Sequence, residues 1–220
     1  MARDFQQPFS LPAGATEVVL VRHGSSLRPA AKAPVELIDG RSDPPLSDSG
    51  RRQAQAVAER LGRSRIDALF VTSLRRTQQT ADPLARRLGL EPIVVPELRE
   101  VFLGTWEGQL STRAASEVEL SQRVFELGRW DVIPGAEAME PFTERVRDGL
   151  KQLVDTVGPD ASAVAVIHGG VIAEACRLAT GSHAFAFLYA ENGSLTRVMR
   201  LVTGRWALVS FNDTAHLLSD

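Results

Sequence analysis

Two histidines in this chain stand between an apolar run and a glycine. Residues 18–21, VVLV, lead into Arg22, His23 and Gly24, and residues 163–167, AVAVI, lead into His168, Gly169 and Gly170. A third run, within IDALFVTS (66–73), ends at Thr72 and Ser73 with Arg75 and Arg76 just beyond. A fourth, EPIVVP (91–96), is followed closely by Glu100. These side chains suit the handling of a tetrahedral dianion. Guanidiniums are permanently charged and grip its oxygens bidentately. A neutral imidazole can attack at its centre, and a carboxyl group can pass a proton to what departs. Glycine after each histidine lets a backbone approach a bound group, and a helix opening at Gly169 and Gly170 offers free N–H groups to an anion. Phosphate fits this set best.

The surrounding pattern says what must position these groups. The run 18–21 is Val-rich and does not alternate, as a strand buried on both faces should be. Ser47 is placed to cap a helix in which Ala54, Val57, Ala58 and Leu61 share one face and Gly62 is the stop. A second helix, 74–89, buries Ala81, Leu84, Ala85 and Leu88, with a kink expected at the internal Pro83. A polar, helical segment reaches about Leu127, and a helix resumes near Glu137 with Phe142, Val146, Leu150, Leu153 and Val157 on one face. GGVIAEACRLATG (169–181) is a further helix, and 194–202 and 205–212 form a closing hairpin about Thr203 and Gly204. Strands alternating with helices predict a three-layer α/β/α fold with a mostly parallel central sheet and a closing antiparallel hairpin. In such sheets ligands bind beyond the carboxyl ends of the strands, so groups from four strands converge on one crevice. One domain over 1–220 is expected, with 1–16 an extension and 105–135 an insertion covering the pocket.

Composition narrows the classes. The 220 residues carry a formal net charge of −2, which makes no electrostatic case for nucleic acid or an anionic membrane. No apolar stretch approaches the roughly 20 residues that span a bilayer, and the first residues lack a signal-peptide core. The lone Cys176 excludes an internal disulfide and fits a cytoplasmic location. Among 25 basic residues only Lys32 and Lys151 are lysines, which removes a P-loop lysine. Four histidines without H-x-H or H-E-x-x-H spacing argue against a metal site.

The motifs, taken together, resemble the histidine phosphatase superfamily, also called phosphoglycerate mutase-like. LVRHG (20–24) is similar to its signature and GRSDPPLSDSGRRQA (40–54) to its second block. TSLRRTQQTA (72–81) resembles S-P-L-x-R-A-x-Q-T-A, with Thr72 and Ser73 in place of Ser and Pro. LREVFLGTWEG (98–108), PGAEAMEPFTERV (134–146) and VIHGGVI (166–172) resemble the later blocks. The resemblance implies a metal-independent phosphomonoesterase that needs no cofactor. His23 would be the nucleophile, Glu100 the proton donor, kept protonated by burial or by the phosphate beside it, and His168, Arg22 and Arg76 the groups that neutralise the phosphoryl charge. Gly24, Gly169 and Arg28 complete the phosphate and substrate contacts. The sequence departs from the family after R-H-G, where SSLRPAAKAP lacks the usual Asn; Leu27 and Arg28 stand there, which leaves the substrate open.

A mutase of the same family needs extra cations for a second phosphate, and residues 109–133 supply only Arg113, Arg123 and Arg129, which favours hydrolysis. A non-catalytic phosphoprotein-binding module would have lost one of the five key groups, and all are present. The expected partner is a small phosphorylated substrate; a homodimer is common for such folds. His183 and His216 are read as core or capping residues, Arg75 as solvent-facing, Trp106 and Glu107 as loop packing, and Cys176 as core. Ser25 and Ser26 lack the G-x-S-x-G elbow of a serine nucleophile.

Overall fold

The computed structural model describes residues 9–27 and 37–217. Its first strand, β1 (Thr16–Arg22), is followed by a two-residue ribbon, β2 (Leu37–Ile38) and β3 (Arg41–Ser42), and by helix α1 (Asp48–Leu61). Next come β4 (Ala68–Val71), α2 (Arg75–Leu88) and β5 (Ile93–Val94). Helices α3 (Leu110–Ser116), α4 (Val118–Leu127) and α5 (Met139–Val157) precede β6 (Ser162–Ile167), α6 (Gly169–Thr180), β7 (Leu195–Arg200) and β8 (Trp206–Asp213). The main sheet has the order β5-β4-β6-β1-β7-β8. Its first four strands are mutually parallel, and β7 and β8 close it antiparallel.

Side chains on successive strand residues point to opposite faces, and β1 divides accordingly. Val18 and Leu20 pack with α5 and α6, whereas Val19 and Val21 pack with α1 and α2. The result is the three-layer α/β/α architecture, with β1 and β6 fully covered at its centre. Ser47 caps α1 as its type predicts, accepting from Gly50 N–H at 3.1 Å. Helix α2 runs unbroken through Pro83 and ends on Gly89 in the left-handed region, φ +66°. The segment between β5 and α5 inserts Trp106, Val124, Trp130 and Ile133 into the larger core.

Two details differ from the sequence pattern. The fourth apolar run, 91–96, forms only the two residues of β5, since it pairs on one side alone, with β4, between Pro92 and Pro96. The ribbon β2–β3 arises inside what reads as loop. Its turn is Asp39 and Gly40, both at positive φ, the Asp-Gly signal of a tight hairpin. Among the described residues no helix is long and apolar enough to cross a membrane.

Candidate active site

The register that pairs Arg22 with Ile167 leaves the next residue of each strand, His23 and His168, side by side at one rim. Their ring centroids are 5.2 Å apart and the planes meet at 62°. His23 is oriented through both ring nitrogens: Nδ1 lies 2.8 Å from its neighbour's carbonyl, Gly24 O, and Nε2 lies 3.2 Å from Arg76 Nε. A carbonyl only accepts and a guanidinium only donates. The proton of His23 therefore sits on Nδ1, and the Nε2 lone pair faces the guanidinium. Burial, then the positive charge of Arg76, pushes the pKa of His23 well below the ordinary histidine value, and Arg22 adds to the effect. The imidazole is neutral at physiological pH.

Arg76 arrives from the start of α2, just past β4, and is anchored by Nη1 on Ser42 O at 2.7 Å. Arg22, from β1, donates Nη1 to Ala190 O, while its buried Nε finds no partner among the described residues. Burial draws both guanidiniums down from the ordinary arginine value, and the carboxylate of Glu100 works in the opposite direction. Glu100 reaches the opening of α6: Oε1 accepts from Val101 N–H at 3.0 Å and Oε2 from Gly170 N–H at 3.4 Å. A Cβ on Gly170 would lie 2.7 Å from Glu100 Oε1, and one on Gly169 would lie 3.3 Å from Arg22 Nε. These glycines make room for functional side chains.

His168 is completely buried, with Nε2 3.0 Å from the hydroxyl of Thr72 and Nδ1 without a partner among the described residues. Burial and then Arg76 push its pKa well below the ordinary value. It enters as a neutral hydrogen-bonding group, where the sequence reading had it share in neutralising charge. One buried and one partly buried cation, two neutral imidazoles and one carboxyl group thus line a single rim.

A model of the histidine phosphatase superfamily (branch 1) matches residues 18–214. The chain belongs to the histidine phosphatase superfamily. A protein of Yersinia pestis (strain Pestoides F) named probable phosphoglycerate mutase GpmB is 33% identical over 210 residues, covering 91% of this chain and 94% of that one. A mycobacterial glucosyl-3-phosphoglycerate phosphatase, solved in complex with inorganic phosphate, is 28% identical with a TM-score of 0.74, over 92% of this chain and 99% of that one. A phosphoglycerate mutase of Bacillus anthracis shares the fold, with a TM-score of 0.75 at 18% identity, over 93% of this chain and 96% of that one.

Within this histidine phosphatase fold, other residues of the sequence reading find different work. Gly24 does not face an anion. Its N–H is already donated to Thr80 Oγ1 at 2.9 Å, and a Cβ there would come 2.5 Å from Gly50 O, so it serves close packing against α1. Arg75 is not simply solvent-facing: its N–H and Nε are donated to the fully buried Asp43, at 2.7 and 2.9 Å. Arg28 lies outside the described residues. Glu107 straps Ser42 N–H and Leu103 N–H, and Trp106 is fully buried. His216 braces Gly193 O, His183 is exposed, and burial pushes the Cys176 thiol up to about 12.

Three positioning groups escaped the sequence reading. Asp43 caps α2 from outside it. Asn192 donates Nδ2 to His23 O at 2.8 Å, and Gly193 N–H reaches Arg22 O at 2.9 Å, clamping the arginine–histidine pair from the β7 side. Asp43 carried a signal, a carboxylate between two polar residues and Pro44; Asn192, in an ordinary Asn-Gly turn, carried none that distinguishes it.

Proposed function

We propose that the protein is a metal-independent phosphomonoesterase working through a phosphohistidine on a small phosphate ester. The observation that carries this reading is the 3.2 Å contact of Arg76 Nε with His23 Nε2, beside a proton held on Nδ1. A phosphate bound by Arg76 and Arg22 takes over the Arg76 Nε–H, which frees the Nε2 lone pair to face phosphorus. Nε2 attacks phosphorus, the P–O bond to the alcohol breaks, and Glu100 gives its proton to the departing oxygen. Water then attacks phosphorus, the P–N bond breaks, and the carboxylate recovers a proton from the water. The guanidiniums hold the equatorial oxygens throughout, so catalysis here is positioning and electrostatics.

Transfer between two positions of one substrate, as the name of the Yersinia relative suggests for that protein, needs cations for a second phosphate. Two arginines of the 109–133 segment are already engaged: Arg113 with Glu117, and Arg129 with Asp131 and Glu140. That favours hydrolysis. The test compares phosphate release from p-nitrophenyl phosphate with interconversion of 3- and 2-phosphoglycerate. Faster interconversion than release overturns the hydrolytic reading, and phosphoenzyme trapped in His23→Ala overturns the nucleophile.

A further inference from the structure

Glu137 lies at the centre of a clamp on the backbone of Glu100. Its Oε1 accepts from Arg145 Nε at 2.6 Å, and its Oε2 accepts from Arg145 Nη2 at 2.8 Å, Arg41 Nη2 at 3.2 Å and Phe102 N–H at 3.2 Å. Both arginines also donate to one backbone carbonyl, while Arg41 Nη1 takes Asp39 O at 3.2 Å. Arg41 Nε reaches Glu100 O at 2.6 Å, and Arg145 Nη2 reaches it at 3.2 Å. Arg145 Nη1 also takes the carbonyls of Glu97 and Arg99, at 2.6 and 2.7 Å, and its guanidinium lies 4.9 Å from the centre of the Phe142 ring. Glu137 N–H closes the loop on Phe102 O at 2.9 Å.

We propose that Glu137 is a positioning residue for proton transfer, setting the place of the Glu100 carboxyl through Arg41 and Arg145. The 96–102 segment contains only the single 3-10 turn Pro96–Leu98 at its start, so no regular ladder holds Glu100. A guanidinium fork with a carboxylate on one edge and carbonyls on the other is rigid, whereas either alone is not. The three side chains are 12 to 18% exposed, so their bonds are little weakened by water. Burial works against the carboxylate of Glu137, but the bonds and charge of Arg145 outweigh it and hold the group below its usual range. The ribbon β2–β3 supplies Arg41 and α5 supplies Arg145, so two elements far apart in sequence meet on one carbonyl.

This inference rests on the reading of Glu100 as proton donor, and the experiment separates the two. Turnover of an alkyl phosphate, β-glycerophosphate, is compared with that of p-nitrophenyl phosphate, whose leaving group scarcely needs a proton. Glu137→Gln is expected to slow the alkyl ester at least about tenfold and the aryl ester less than about twofold. Arg41→Lys, on the small ribbon outside the main sheet, is expected to show the same asymmetry and keeps the question open to measurement if Glu137→Gln does not fold. In a Glu100→Gln background Glu137→Gln is expected to add no further alkyl-selective loss. If Glu100→Gln itself slows both esters equally, the proton-donor reading falls. If Glu100→Gln is selective and Glu137→Gln or Arg41→Lys slows both esters alike, Glu137 is merely structural and the clamp proposal falls.

Discussion

The Nε–H of Arg76 is donated to Nε2 of His23 across 3.2 Å. The residue that would grip the phosphate thus also helps burial keep the nucleophile unprotonated, because a guanidinium proton and an imidazolium proton cannot occupy the same line. The contact adds to burial in disfavouring protonation of His23, and attack by Nε2 requires that it pass to a phosphate oxygen.

Removing that contact should be visible in the histidine itself. In the unmodified protein the His23 imidazole, followed by nitrogen NMR, is expected to titrate below the ordinary value of about 6.5. In Arg76→Ala the loss of a neighbouring positive charge moves it upward. Burial, the larger cause, keeps part of the depression. A downward or zero displacement in the variant contradicts this account of the site.

Folding stability should decline as the solution is acidified. Both His23 and His168 have native pKa values depressed below the unfolded one, so below about pH 6.5 the unfolded chain binds protons that the native state refuses. Stability is fully present above that value and is lost as pH falls toward the native pKa values, with a slope of at most about 1.4 kcal/mol per pH unit for each histidine. Urea unfolding between pH 8 and pH 5 measures the slope, and His168→Gln should flatten it.

Asp43 tests whether the start of α2 matters to the site. The carboxylate accepts from Arg75 N–H and Nε, and the adjoining Ser42 O receives Arg76 Nη1. Asp43→Ala should cost about 1–2 kcal/mol, as the loss of a helix cap does, and should lower kcat/KM for p-nitrophenyl phosphate by about tenfold. Asp43→Asn retains an acceptor for the amide and should recover most of the stability. Equal kcat/KM in Asp43→Ala and the unmodified protein would separate the cap from the site.

Gly24 is expected to tolerate no side chain. A Cβ would stand 2.5 Å from Gly50 O and 3.0 Å from Gly50 C, against backbone that cannot swing away. Gly24→Ala should destabilise the fold by about 1–3 kcal/mol, as overpacking does, and should displace His23, its immediate neighbour. Thermal unfolding together with phosphoenzyme trapping reads both effects.

Much of this protein is written in local pattern. A Val-rich run ending in Arg22 and His23 has to be a covered strand delivering polar groups at a sheet rim; Ser47 and Gly89 mark helix ends by residue type alone; the match of several ordered blocks marks the family. Tertiary structure alone decided the rest. That Gly24 makes room for α1, that Arg75 turns back onto Asp43, that Asn192 holds His23, and that Glu137 gathers Arg41 and Arg145 onto Glu100 O all depend on residues about 30 to 170 positions apart. Helix and strand signals come from spacings of two to four residues, which the chain itself imposes. A hydrogen bond between distant segments leaves no such period, because its partners meet only after the sheet order and the packing of its two faces have been settled.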